Sequence, residues 1–324
     1  MAKIEGCKLL MTSADAADRA AWQHLRGLGI GGSDAASIVG VSPWKSPYQL
    51  WLEKTGQVAE QDLSDNEAVH FGTVLEEVVA REFTARTGKK VQRHGMLQSV
   101  AYPFLLANVD RLVVGEDAGL ECKTASAYMR KEWEGDKLPD AYYVQCQHYM
   151  MVTGLSRWYI AALIGGNHFE WKTVERNEDD IEALFAAEHV FWVKNVESRI
   201  PPDVDGSTAC KQALQERFPG GNMEALQLPD TVAGEIALIQ DLAARQKDLH
   251  EQEEAARSRI EVLMGDHETG FFGDEESGGR ITWKPCKPRV SVDTKRLKAE
   301  RPDVFNAYAK AGKPYRVLRF YEGR

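Results

Sequence analysis

The sequence holds no apolar run that approaches the roughly 18 residues a membrane-spanning helix needs. The longest such run, around Trp158 to Ile164, has the size of a strand. The first residues, up to Trp22, lack the apolar core and cleavage site of an export signal, so the expectation is a cytoplasmic chain with no membrane partner. Cysteine is sparse: Cys7, Cys122, Cys146, Cys210 and Cys286 are odd in number and widely scattered. That argues against a disulfide framework and against a clustered zinc or iron–sulfur site. Internal repeats and low-complexity tracts are absent as well. What is present is ordinary globular composition, 43% hydrophobic and 27% charged over 324 residues, enough chain for one large core or two modest ones.

Positive charge is also short overall, but unevenly so. The net charge is −9, yet residues 280–324 carry 13 Lys and Arg against 4 Asp and Glu, which leaves −18 on residues 1–279. An acidic body with a basic tail fits local contact with phosphates better than a wholly basic surface would. Acidity alone does not exclude a DNA enzyme, because metal-binding carboxylates contribute to it.

Periodicity and breakers divide the chain. Arg19 to Leu28 reads as a helix, and after Gly29-Ile30-Gly31-Gly32 either Ser33 or Asp34 can cap a second helix to about Val39. Pro43 and Pro47 interrupt, Tyr48 to Lys54 resumes, and Gly56 stops it. Glu67 to Thr87 is the strongest helix, with Val69, Val74, Val78, Val79 and Phe83 as its expected apolar face. Strands are expected at Val91 to Gln98, Leu105 to Val114 and Gly119 to Lys123. A helix from Tyr142 to Thr153 follows, then a strand pair, Trp158 to Ile164 and His168 to Val174, turning at Gly165-Gly166, and a helix from Asp179 to Val196. This order predicts an α/β fold around a central mixed sheet flanked by helices, occupying residues 1–205. After Pro201-Pro202 the character changes. Residues 206–264 read as a helical extension in which Val232, Ile236, Ile239, Leu242 and Leu249 fall at heptad-like spacing over Pro229 to Leu263. Residues 265–324 read as a small basic α+β region: a Gly- and acid-rich loop to Gly279, a strand from Arg280 to Lys284, a short helix and a final strand from Tyr315 to Tyr321.

The chemistry concentrates in Asn108-Val109-Asp110-Arg111 and Gly119-Leu120-Glu121-Cys122-Lys123. Period-two alternation puts Glu121 and Lys123 on one face of a strand, with Cys122 on the other. Antiparallel neighbours lie about 5 Å apart, so Asp110 on the preceding strand can sit beside Glu121. Two carboxylates there form a hard oxygen site suited to Mg²⁺ or Mn²⁺, completed by a backbone carbonyl and waters. Such a metal lowers the pKa of bound water and stabilises charge on a phosphate, and Lys123 can orient that water. By itself the spacing Asp-x(10)-Glu-x-Lys is weak, because strand pairs with interspersed charges are common on solvated sheet faces.

The stretch resembles the PD-(D/E)XK nucleases, and in particular the lambda-exonuclease-like (YqaJ) viral recombinases, over about Trp22 to Val196. Five ordered motifs carry the resemblance: Trp22-x(3)-Arg26 with Gly29-Ile30-Gly31-Gly32-Ser33-Asp34-Ala35-Ala36; Gly72-x(3)-Glu76; Asp110; Glu121-Cys122-Lys123; and Ala141-Tyr142-Tyr143-Val144-Gln145-Cys146-Gln147-x-Tyr149. The resemblance implies a PD-(D/E)XK restriction-endonuclease-like core. It implies Asp110, Glu121, Lys123 and Glu76 as catalytic residues, with Asp110, Glu121, Glu76 and the Cys122 carbonyl around Mg²⁺ (Mn²⁺ as the substitute). It places Arg26 and Ser33 on a terminal 5′-phosphate, Gln145 on the phosphate or nearby backbone, and Tyr149 behind it. Taken without the resemblance, Ser33 is a plain cap, Arg26 a surface charge and Glu76 a solvated helix acid. His148 is given no role, since a metal-activated water makes a histidine base unnecessary. Trp51, Trp133, Trp158 and Trp192 read as packing anchors, and Trp44, in a Pro-flanked loop, is the best exception.

The implied activity is Mg²⁺-dependent 5′→3′ exonuclease action on double-stranded DNA ends, leaving 3′ single-stranded tails for phage or prophage recombination. The implied partners are duplex DNA ends, a single-strand annealing protein and further copies of the chain in a trimeric ring. Two rivals stand beside it: a structure-specific endonuclease of the same superfamily, and a non-catalytic DNA-binding recombination scaffold. Beyond residue 200 the resemblance stops. There the long helix suggests self-association, and Lys284, Lys287, Arg289, Lys295, Arg296 and Lys298 suggest DNA backbone contact.

Overall fold

The computed structural model describes residues 4–60, 63, 65–274, 277–288, 290–310, 312 and 316–320. The chain forms two compact units, one ending at Phe218 and one beginning at Pro219.

In the first unit, β1 (Cys7–Thr12) is followed by α1 (Arg19–Gly27), α2 (Gly32–Ile38), α3 (Pro47–Lys54) and the long α4 (Glu67–Thr87). Next come β2 (Val91–Ser99), β3 (Leu106–Val113), β4 (Ala118–Ala125), α5 (Asp140–Thr153), β5 (Arg157–Ile164), β6 (His168–Glu175), α6 (Glu178–Val190) and α7 (Thr208–Arg217). The six strands lie in sequence order in one sheet. All neighbours are antiparallel except β4 and β5, which run parallel because α5 carries the chain back between them. The mixed sheet expected from the sequence is thus present, with β1 added at its edge.

Helices cover both faces of the sheet, and each face has its own core. On one side α5 contributes Cys146, Tyr149, Met150 and Val152 to a cluster with Trp158, Ile160 and Ala162 of β5. Trp158 is fully buried and lies where a Cβ on Gly119 would come within 2.4 Å of its ring, so β4 needs glycine at that point. On the other side α4 packs Val79 and Phe83 against Leu120, Tyr159 and Ala161. Asn66 caps α4 by accepting from the amides of Ala68 and Val69, and Gly88, at φ 72°, ends it.

The sheet-facing line of α4 differs from the expected one. Val79 and Phe83 are buried, but Val69, Val74 and Val78 are 39%, 53% and 49% exposed. The buried or half-buried line instead runs through Gly72, Glu76, Val79 and Phe83, and a Cβ on Gly72 would lie 3.6 Å from the Thr124 hydroxyl of β4. A glycine and a glutamate on the packed stripe hide it from a reading of hydrophobicity. Two further details depart from expectation. The N-cap of α2 is Gly31, not Ser33 or Asp34, and Asp34 reaches back from inside the first turn to accept from the Gly31 amide at 3.1 Å. The last helix of the region changes to a π turn at Phe191–Glu197, where the Asn195 carbonyl accepts from the Trp51 indole at 2.8 Å. A third cluster joins Ile30, Tyr48, Leu50, Trp51 and Leu52 to Phe191 and to Cys210 and Ala213 of α7.

The second unit holds α8 (Val232–Met264), a hairpin of β7 (Thr269–Phe272) and β8 (Gly279–Thr282), and the short helices α9 (Thr294–Glu300) and α10 (Pro302–Tyr308). The loop expected from Gly265 to Gly279 therefore contains a strand, which Gly270 lets approach the Met264 sulfur. Thr269 and the aromatic pair Phe271-Phe272 favour extended structure despite the flanking glycines. The expected final strand is not found: residues 316–320 have no strand, and Tyr315 and Tyr321 lie outside the described residues, as does Arg289. Along α8, Met264 is buried while Ile239, Leu242 and Leu249 remain exposed.

Candidate active site

The β3–β4 ladder pairs Arg111 with Leu120 and Leu112 with Gly119. Beyond those pairs the Cys122 amide donates to Oδ2 of Asp110 at 2.9 Å, so a carboxylate takes the place of a backbone acceptor. That bond pins Asp110 beside Glu121. Strand alternation then separates the side chains as the sequence predicts. Cys122 packs with the α4-side cluster, while Glu121 and Lys123 face the other way.

Lys123 Nζ lies 2.7 Å from Glu121 Oε1 and donates to Gln145 Oε1 at 2.9 Å. Gln145 Nε2 donates to the same Glu121 oxygen and to the Tyr149 hydroxyl, both at 2.8 Å. Gln145 and Tyr149 stand one turn apart on α5, so a single helix face carries both. The second Glu121 oxygen, Oε2, is buried and has no hydrogen-bond partner. The carboxylates and Lys123 line a cavity of about 180 Å³ shared with Arg26, Ser33, Trp22, Asn108, Gln145 and Tyr149.

The charges there do not balance. Burial and the adjacent Glu121, with Glu76 behind, push the Asp110 carboxyl well above the usual carboxylate range. Burial opposes the charge on Lys123, but Glu121 and Asp110 outweigh it and hold the ammonium on. Burial also lifts the Tyr149 phenol, keeping it neutral.

A second polar cluster adjoins the cavity. Arg26 Nη2 donates to the Ser33 hydroxyl at 3.0 Å and to Asp34 at 3.2 Å, with its guanidinium 5.3 Å from the centre of the Trp22 ring. Asp34 also meets Lys54 at 2.9 Å. Lys54 donates as well to the carbonyls of Arg26 and Gly29. Burial would raise the Asp34 pKa, but Lys54, Arg26 and Lys45 overcome it and hold the carboxyl far below its usual range. The cluster reaches α5 because residue 32 is glycine: a Cβ there would come 2.7 Å from the Tyr149 ring and 2.8 Å from Gln145.

Of the residues singled out in the sequence, Asp110, Glu121, Lys123, Arg26, Ser33, Gln145 and Tyr149 come together around one cavity. Glu76 does not line it. Arg111, 3% exposed, holds Glu76 at 2.5 Å and Glu77 at 3.1 Å, so the helical carboxylate is already paired. His148 is fully buried between Glu188 and the Leu106 carbonyl, each 2.8 Å from a ring nitrogen, and lies outside the cavity lining. In the sequence Asp34 is a cap candidate and a motif member without a role of its own, and Lys54 carries no signal, because a contact between residues on two different helices has no periodic trace. Trp22 belonged to a motif without a role, and Asn108 now stands near it on the cavity wall.

Among the described residues, no group of three or more His, Cys, Asp or Glu could hold a metal ion. Two carboxylates do meet, however, and an unpartnered buried oxygen beside a carboxyl of raised pKa is the donor chemistry a hard divalent cation satisfies. Mg²⁺ commonly takes one or two protein carboxylates and retains waters, so this pair fits it.

Residues 21–156 match the YqaJ-like viral recombinase domain. The Bacillus subtilis (strain 168) protein YqaJ is 43% identical over 295 residues, covering 89% of this chain and 90% of that protein. Among solved structures, the alkaline exonuclease LHK-Exo of Laribacter hongkongensis is 17% identical over 55% of this chain and 92% of its own, with a TM-score of 0.45. A phage-related exonuclease of Haemophilus somnus 129PT is 13% identical over 55% of this chain and all of its own, with a TM-score of 0.40. With the acidic pair, the lysine and the Gln145–Tyr149 helix in place on a six-stranded mixed sheet, and with a relative this similar over nearly its full length, the chain belongs to the YqaJ-like viral recombinase family.

Proposed function

We propose that this chain is a divalent-metal-dependent deoxyribonuclease that degrades duplex DNA from its ends in the 5′→3′ direction, leaving 3′ single-stranded tails for recombination. The observation that carries the reading is the unbalanced pair Asp110 and Glu121, with one Glu121 oxygen bonded to Lys123 and the other buried and free. Asp110, Glu121 and the Cys122 carbonyl would hold Mg²⁺ or Mn²⁺. Bound there, the cation would supply an activated water and neutralise charge on the scissile phosphate. Glu76 enters this set only if it leaves Arg111.

The chain's own groups do the rest. Lys123, kept protonated by its neighbours, offers N–H donors to the attacking water and to a phosphate oxygen. Gln145 fixes Lys123 and Glu121 with opposite ends of one amide, which sets the position of the ammonium against the carboxylate. Tyr149 locks the orientation of that amide. Arg26 has a forked set of donors for a terminal 5′-phosphate, and Ser33 adds a hydroxyl next to it. A single-strand annealing protein would take the exposed tail, and a ring of three chains would keep the enzyme on its substrate. The basic residues beyond 280 would add backbone contacts.

Digestion of linear duplexes with 5′-phosphate or 5′-hydroxyl ends, beside covalently closed circles, tests the exonuclease reading. Arg26→Ala is expected to erase a preference for phosphorylated ends of roughly tenfold or more, the worth of a lost charge-assisted pair. Cutting of circles at the rate of linear DNA would replace the exonuclease with an endonuclease.

A further inference from the structure

Trp44 stands out from the other tryptophans. Trp51, Trp133 and Trp158 are all at most 2% exposed, Trp171 and Trp283 are 37% and 47% exposed, and Trp44 is the most exposed at 63%. An exposed indole on a mobile loop would mean little, but this loop is tied down. The Ser42 hydroxyl accepts from the amides of both Trp44 and Lys45, and the Ser42 amide donates to the Ala36 carbonyl. Ser46 then caps α3, with Pro47 in its first turn. The indole stacks on the Tyr142 ring at 6.1 Å between centres and 27° between planes. Tyr142 is buried, braced by Trp133, and its ring centre is 5.2 Å from Lys123 Nζ.

Trp44 also lines a cavity of about 230 Å³ with Arg26, Ser33, Asp34 and Lys45. Arg26 and Ser33 are shared with the carboxylate cavity, so one wall joins the two spaces. An aromatic face held rigid beside a phosphate-binding arginine matches what a nucleotide presents: a charged group and, a few ångströms away, a flat base. Every base has a π-face, so such a platform accepts any sequence.

We propose that Trp44 is a stacking platform for the base of the nucleotide whose phosphate lies at Arg26 and Ser33. This rests on the nuclease reading for the identity of the strand, but its physical content is binding and is separable from cutting. The platform would hold the terminal base out of the duplex stack while Lys123, also against the Tyr142 ring, addresses the phosphate bond. Trp44 is therefore a positioning residue.

The test uses the full chain and short duplexes with a one-nucleotide, 5′-phosphorylated overhang that carries either a normal base or an abasic tetrahydrofuran, so that neither end must break a base pair. Fluorescence anisotropy in EDTA reads binding with no reaction. Wild-type protein should bind the base-bearing end roughly tenfold more tightly, the scale of one base–aromatic stack. Trp44→Ala should bind both ends alike, at the abasic level, and Trp44→Phe should restore most of the difference. Because Trp44 is mostly exposed, the alanine variant should keep the wild-type melting midpoint, and Trp44→Phe guards against the case where it does not. Equal wild-type affinity for the two ends, or discrimination that survives in Trp44→Ala, overturns the platform. Failure to cut DNA, with base discrimination intact, sinks the nuclease reading alone.

Discussion

Asp34 is 2% exposed and lies within 3.2 Å of Arg26 and 2.9 Å of Lys54, with Lys45 also near enough to act on it. Asp110, in the adjoining cavity, faces Glu121, which bonds Lys123 through one oxygen and has its other oxygen left without a partner. Burial penalises both aspartates, and the surroundings decide the outcome: one carboxyl is driven far below its usual range and the other well above it. The first carboxyl finds its cations within the chain. The second is short of positive charge at the place where a catalytic cation would sit. Perturbed carboxyls of the first kind are structural supports, while those of the second kind mark a site that something else must finish.

Removing each aspartate should therefore act in opposite directions on stability. Asp34→Asn strands Lys54 without its anion, leaves Arg26 only the more distant Glu60, and is expected to cost about 3–5 kcal/mol, as breaking a buried pair usually does. Urea unfolding followed by far-UV circular dichroism would show it, and a loss below about 1 kcal/mol would mean that the cluster is solvated rather than sealed. Asp110→Asn removes one of two like charges and, in EDTA, should gain on the order of 1 kcal/mol. A clear loss there would place Asp110 with Asp34 and undo the contrast.

The His148–Glu188 pair gives a smaller, third case, buried but sharing one proton. Burial opposes the charge on His148, yet Glu188 and the Leu106 carbonyl outweigh it; burial lifts the Glu188 carboxyl despite His148. Folding thus raises the proton affinity of both partners. Stability from the histidine is complete below its unfolded value of about 6.5 and is lost as pH rises through the raised native value. The thermal midpoint should fall over that window. His148→Gln combined with Glu188→Gln should flatten the profile, and an unchanged slope would assign the pH dependence elsewhere.

Much of this arrangement was legible in the residues. The helix expected from Glu67 to Thr87, stopped by Gly88, is α4, and the strands bearing Asp110 and Glu121-x-Lys123 follow from alternation and length. Gln145 and Tyr149 fall on one helix face by spacing alone. The missing parts have physical reasons. β1 is a six-residue edge strand with Leu9 exposed, so its pattern is weak. Val69, Val74 and Val78 looked like a packed face because Gly72 and Glu76, which lie on the real one, are not apolar. The Asp34–Lys54 contact and the capture of Glu76 by Arg111 join side chains on different elements, which no local pattern encodes.

The most direct measurement is digestion of linear, 5′-phosphorylated duplex DNA by wild type and Lys123→Ala, each in Mg²⁺ and in EDTA. The assignment of the acidic pair and lysine predicts 5′→3′ loss of nucleotides by wild type in Mg²⁺ only, and a rate at least about 100-fold lower for Lys123→Ala, the scale of removing one transition-state donor. Digestion by wild type in EDTA, or an undiminished rate in the variant, would contradict it.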